Sequence, residues 1–124
     1  LARKAGNKAA DLSGGSRRRI QVAKTFLIDA PVLFLDEFSA GMDTILKRSV
    51  MERVRASARA GRTIVLTTHI LQEAEDLCDD ILIVRGGRQT ARGSVQGLRT
   101  LAGHHHGTLE DVFVQLITDE GDAL

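Results

Sequence analysis

Val32-Leu33-Phe34-Leu35 is an unbroken apolar run, entered through Asp29-Ala30-Pro31 and closed by Asp36-Glu37. No other segment limits the fold so strongly. A strand turns alternate side chains to opposite faces, so four apolar residues in succession leave it no wet face. The run therefore predicts a strand covered by helices on each side. Pro31 disfavours helical geometry at Ala30 and separates the run from what precedes it. Thr63–Thr68 reads as a second strand in the same style, with Gly61 ending the helix before it.

Between and around these runs the spacing turns helical. Ile20, Ala23, Phe26 and Leu27 recur at intervals of three and four after Ser13, which suits an N-cap. Ile45 to about Arg59 predicts a helix with Ile45, Val50, Val54 and Ala58 as its buried stripe. A short acidic helix over Leu71–Leu77 would turn Leu71, Ala74 and Leu77 inward. Asp80–Arg85, a Gly86-Gly87 turn and Arg88–Arg92 read as a strand, a tight hairpin and a partner strand. Beyond Gly93 this order fades, with a loop at His104–Gly107 and a last short helix over Leu109–Ile117. Strand and helix alternate through the centre of the chain, which predicts an α/β fold with parallel pairing and right-handed crossovers.

Composition narrows the functional classes. With 124 residues, 43% hydrophobic and 27% charged, the chain is globular and amounts to one domain or less. Its longest aliphatic or aromatic runs, Val32–Leu35 and Ile81–Val84, are far too short to cross a bilayer. Cys78 is alone, which excludes a disulfide or a CxxC zinc site within the chain and points to a reducing cytosol. Net charge is +1, yet residues 1–30 carry seven Lys/Arg against two Asp, and residues 104–124 carry five acids and no Lys or Arg. Arg17-Arg18-Arg19 reads as a solvated helix face in preference to a nucleic-acid patch. His104-His105-His106 reads as a solvated loop, because three adjacent imidazoles do not converge on one ion without a bend.

The chemistry lies at the element ends. Leu12-Ser13-Gly14-Gly15-Ser16 is a glycine-rich turn opening into a helix, whose unpaired N–H groups and dipole suit a phosphate. Asp36, at a strand's carboxyl end, suits Mg²⁺ held partly through water, and Glu37 beside it can polarise an attacking water. Asp43, after Ser39-Ala40-Gly41-Met42, suits the cap of the next helix, and His69 follows the second strand. Together these features read as parts of a machine that hydrolyses a nucleoside triphosphate. No G-x-x-x-x-G-K-[ST] phosphate-binding loop occurs among the 124 residues.

In order and spacing this set resembles the nucleotide-binding domain of ABC ATPases. Leu12–Ser16 looks like the signature motif and Val32–Glu37 like Walker B. Ser39–Asp43 looks like the D-loop and Thr67-Thr68-His69 like the H-loop. Ile70–Glu75 and Leu109–Phe113 resemble the drug- and polysaccharide-exporter branch, whose ATPases pair with separate permease chains. Four positions depart from the family's usual residues: Ser16 for Gln, Phe38 for Pro, Met42 for Leu and Thr44 for Pro.

The resemblance implies a P-loop NTPase-like, mostly parallel sheet flanked by helices, here lacking the phosphate-loop strand. Residues 1–93 would be the C-terminal part of the nucleotide-binding domain, and residues 94–124 an extension with a short helix. Two such domains would dimerise head to tail around ATP and Mg²⁺. Ser13, Gly14, Gly15 and Ser16 would then bind nucleotide in trans, Asp36 would hold Mg²⁺, and Glu37 and His69 would be catalytic. Asp43 would link the two sites. The partners implied are a second nucleotide-binding domain and a membrane permease, not nucleic acid, at the cytoplasmic face of the plasma membrane. The missing loop leads to the expectation of a fragment that is inactive alone, with unpaired strand edges. Alternatives are a nucleic-acid-associated ABC-type ATPase and a non-catalytic partner that supplies the signature turn in trans.

Overall fold

The computed structural model describes residues 14–103 and 106–119. The chain divides between Thr68 and His69 into two units. In the first, helix α1 (Gly14–Leu27) precedes strand β1 (Val32–Asp36), helix α2 (Thr44–Arg59) and strand β2 (Thr63–Thr67). The two strands pair in parallel, with Val32 opposite Thr63 and Asp36 opposite Thr67. Parallel strands need a long crossover, and α2 supplies it. Thr63 extends the ladder backwards by donating its N–H to the Pro31 carbonyl at 2.9 Å.

Burial in this unit corrects two expectations and adds one finding. The run is not covered on both faces: Leu33 and Leu35 are buried, but Phe34 is 73% exposed and Val32 is also open. Alternation puts Val32 and Phe34 on the opposite side from Leu33 and Leu35, and no described element of the unit covers that side. In α2 the buried residues are Val50, Met51 and Val54. Ile45, in the first turn, is 84% exposed, and Ala58, near the last, is exposed too. The packed stripe is thus confined to the middle of the helix. Among the described side chains of α1, Val22 is buried, and Leu27 is 83% exposed, about 140° around the helix from Val22.

The second unit holds helix α3 (Leu71–Leu77), strands β3 (Ile81–Arg85) and β4 (Arg88–Gly93), and helices α4 (Val95–Ala102) and α5 (Leu109–Asp119). β3 and β4 form the hairpin expected around Gly86-Gly87, antiparallel, with a bulge between Ile83 and Val84. Both turn glycines have positive φ, 57° and 75°, as a tight two-residue hairpin requires. Arg92 and Asp80 meet across the hairpin at 2.8 Å. That hydrogen-bonded ion pair lowers the Asp80 pKa and raises that of Arg92. Within α3, Ala74 and Glu73 are buried, while Leu71 and Leu77 are only half-buried.

Helix α4 was not expected after Gly93. Ser94 caps it, accepting the Gly97 N–H at 3.0 Å. Gly103 closes it in the left-handed conformation at φ 75°. Helix α5 begins with a reciprocal cap: Thr108 Oγ1 accepts the Asp111 N–H at 3.2 Å, and Asp111 Oδ2 accepts the Thr108 N–H at 3.1 Å. One core joins these elements, with Ala74, Ile81, Ile83, Ala91, Leu98, Leu109, Val112 and Leu116 packed together. Burying a side chain such as Leu98, Leu109 or Val112 contributes about 1.5–3 kcal/mol each. Cys78 packs against this cluster. Burial raises its thiol pKa, helped by the charges of Asp79 and Glu73.

Candidate functional site

β1 ends on Asp36, and its parallel neighbour delivers Thr67 to the same register. The Thr67 hydroxyl donates to Asp36 Oδ1. The Thr67 carbonyl accepts the Glu37 N–H at 2.9 Å, which carries the ladder one residue beyond the strand. Both acids are therefore placed by one residue of β2. Glu37 takes a left-handed backbone, φ 49°, and no other described non-glycine residue has positive φ. That conformation costs about 1–2 kcal/mol for a residue with a Cβ, so the surrounding bonds must hold it.

The turn after Glu37 is anchored from below. Phe38 is 1% exposed, among the most buried side chains described, and Ser39 is buried beside it in sequence. Ala40 donates to the Glu37 carbonyl at 3.2 Å and Met42 to the Ser39 carbonyl at 3.0 Å. Gly41 sits at φ 77° with open space where a Cβ would stand, so conformation and not crowding calls for glycine there. Asp43 then caps α2: its Oδ1 accepts the Leu46 N–H at 2.8 Å. Asp36 and Asp43 are exposed, and Glu37 is half-buried. The three carboxylates thus sit on one continuous, tightly bonded connection between β1 and α2.

The glycine-rich turn is only partly in view. Gly14, Gly15 and Ser16 form the first turn of α1, whose N–H groups have no partner within the helix itself. Leu12 and Ser13 lie outside the described residues. At the other end of α1, Arg62 reaches back from the start of β2. Its guanidinium donates to the Phe26 carbonyl at 3.2 Å and the Ile28 carbonyl at 2.7 Å.

His69 belongs to the second unit, where it is exposed just ahead of α3. It lines an open cavity of about 320 Å³ with Gln72 and Glu75 of α3 and Thr108 and Glu110 at the start of α5. Glu75 is bonded to Arg99 of α4 at 3.0 Å, and Arg99 also donates to the Gly107 carbonyl at 2.8 Å. His104 and His105 lie outside the described residues, and His106 is exposed between α4 and α5.

Sequence reasoning placed the acids but missed the residues that hold them. Thr67 carries a readable signal, since matched strand ends put it opposite Asp36. Arg62 and the Arg99–Glu75 pair carry none, because those partners lie 24–36 positions apart.

A family model described as "AAA domain, putative AbiEii toxin, Type IV TA system" matches residues 7–74. "Nod factor export ATP-binding protein I" of Rhizobium johnstonii is 42% identical over 98 residues, covering 79% of this chain and 32% of that protein. Its namesake in Ralstonia nicotianae is 41% identical over 100 residues, covering 81% and 31%. The chain therefore spans about a third of the length of these curated relatives. Among solved structures, "Structure of ATP binding subunit of ABC transporter" superposes with a TM-score of 0.86 at 30% identity, covering 94% of this chain and 48% of that one. "Structure of a bacterial Atm1-family ABC exporter with ATP bound" follows with a TM-score of 0.69 at 28% identity, covering 86% and 18%.

Proposed function

The chain belongs to the AAA-domain family and to the ABC ATP-binding proteins, and from that membership we propose that it supplies one wall of a composite ATP-hydrolysing site that powers an exporter. The observation that carries this reading is the pair of acids at the end of β1, both bonded to Thr67. A phosphate-binding loop supplied from outside these 124 residues would face the turn at Ser13–Ser16 across a dimer of nucleotide-binding domains.

In this proposal Ser13, Gly14, Gly15 and Ser16 offer donors to the terminal phosphate of ATP bound by the opposite domain. Glu37 accepts the proton of the attacking water. His69 stabilises charge developing on the phosphate, and Asp43 sits where the two domains meet. Asp36 fits Mg²⁺, because its exposed carboxylate is a hard oxygen donor at a strand's carboxyl end. Phosphate and water would supply its other ligands, since Mg²⁺ keeps part of its hydration shell. When bound, Mg²⁺ would neutralise charge on the phosphates.

The partners proposed are a second such domain and a separate permease, which place the protein peripherally at the cytoplasmic face of a membrane. The relatives' name, "Nod factor export ATP-binding protein I", supports the exporter reading. Among the described residues no helix is long and apolar enough to cross a membrane. The test is Glu37→Gln in the full-length subunit. ATP binding should persist while turnover falls by at least about a hundredfold. Hydrolysis at the unaltered rate would reject Glu37 as the base.

A further inference from the structure

We propose that Thr67 is the positioning residue for the Mg²⁺-binding carboxylate Asp36, acting through its side-chain hydroxyl; this rests on the reading of Asp36 given above. Parallel register brings the two residues level at the last pair of β1 and β2. There the Thr67 hydroxyl donates to Asp36 Oδ1. A carboxylate at a strand end can turn about its Cα–Cβ and Cβ–Cγ bonds, and each bond to its oxygens narrows the range it samples. A hydroxyl carried by a β-branched side chain on the neighbouring strand contributes such a restraint at Oδ1 before the ion arrives. The same residue's carbonyl holds the Glu37 N–H at 2.9 Å, so the strand that orients the metal ligand also fixes where the proton acceptor leaves the sheet.

The geometry separates these two functions of Thr67. Thr67→Val keeps the shape, the strand preference and the carbonyl, and removes only the hydroxyl. Thr67→Ser keeps the hydroxyl and loses a methyl. The experiment measures Mn²⁺ affinity by electron paramagnetic resonance, using the full-length subunit with a non-hydrolysable ATP analogue, so that no turnover is involved. Thr67→Val should weaken Mn²⁺ binding about tenfold, as loss of a group that orients a metal ligand does elsewhere. Thr67→Ser should restore affinity to within about threefold of the parent. In an Asp36→Asn background, Thr67→Val should have no further effect.

Thermal unfolding checks that Thr67→Val is folded. Should it not be, Thr67→Ala carries the same prediction. Unchanged Mn²⁺ affinity in the hydroxyl-free variant would overturn the proposal, as would a Thr67→Ser as weak as Thr67→Val, or full additivity with Asp36→Asn. Unaltered affinity in Asp36→Asn alone would instead overturn the metal-binding reading of Asp36, which is a distinct result.

Discussion

Arg99 joins Glu75 at 3.0 Å while its Nε donates to the Gly107 carbonyl at 2.8 Å, so one guanidinium ties α3 to α4 and to the segment entering α5. Both charged side chains are largely shielded from water, with 26% and 16% exposure. Removing the guanidinium leaves a shielded carboxylate and a carbonyl to find other partners. Arg99→Ala should therefore lower stability by about 1–3 kcal/mol, read by urea unfolding. Glu75→Gln should cost less, because the bond to Gly107 survives. Equal losses in the two variants would show that the carbonyl bond contributes nothing.

The backbone at Glu37 invites a comparison between two variants that both lack the carboxylate. Alanine keeps the Cβ that disfavours φ 49°, and glycine does not. Glu37→Gly should be more stable than Glu37→Ala by about 1 kcal/mol, despite glycine's greater entropy when unfolded. Denaturant midpoints of the two variants check this. An alanine variant as stable as the glycine one would mean that the turn relaxes out of the left-handed region.

Asp43 has a structural role that can be separated from any role at a domain interface. Asn is as good an N-cap as Asp, and Ala is not one. Asp43→Ala should cost about 1 kcal/mol by loss of the bond to the Leu46 N–H, while Asp43→Asn should stay close to the parent. A fall in ATPase turnover in Asp43→Asn, at unchanged stability, would assign the effect to the lost charge.

The Asp80–Arg92 pair predicts a pH response. Its bond to Arg92 lowers the Asp80 pKa below the usual 3.8. A carboxylate with a depressed folded-state pKa favours the folded state above its unfolded value, and that contribution disappears as pH falls through the folded value. Arg92→Ala should return Asp80 to the ordinary range, as followed by its carboxyl carbon shift in an NMR titration. Both side chains are more than half exposed, so added salt should weaken the effect.

Legibility from sequence followed the range of the interactions involved. The hairpin at Gly86-Gly87 and the helix over Leu71–Leu77 could be read because glycine pairs and apolar spacing act within a few residues. Parallel pairing of the Val32 and Thr63 runs followed from their alternation with helices. Helix α4 had local signals of the same kind, Ser94 before it and Gly103 after it, but Gly97 in its first turn weakened the apolar pattern. Burial was less legible. Ile45 and Val54 fit one stripe on paper, yet only Val54 is buried, because what covers a residue depends on distant chain. The positions of Asp36, Glu37 and Asp43 at element ends were readable. The left-handed turn at Glu37 was not, since it depends on the carbonyl of Thr67, thirty residues on. Phe38 looked like a departure at a loop position usually held by proline, and it became the buried anchor of that loop.

Arg62 makes one side chain answer for two element ends. Its guanidinium holds the Phe26 and Ile28 carbonyls from a position just ahead of β2, so the carboxyl end of α1 and the entry to β2 share a single charged anchor, and replacing that one residue would loosen both at once.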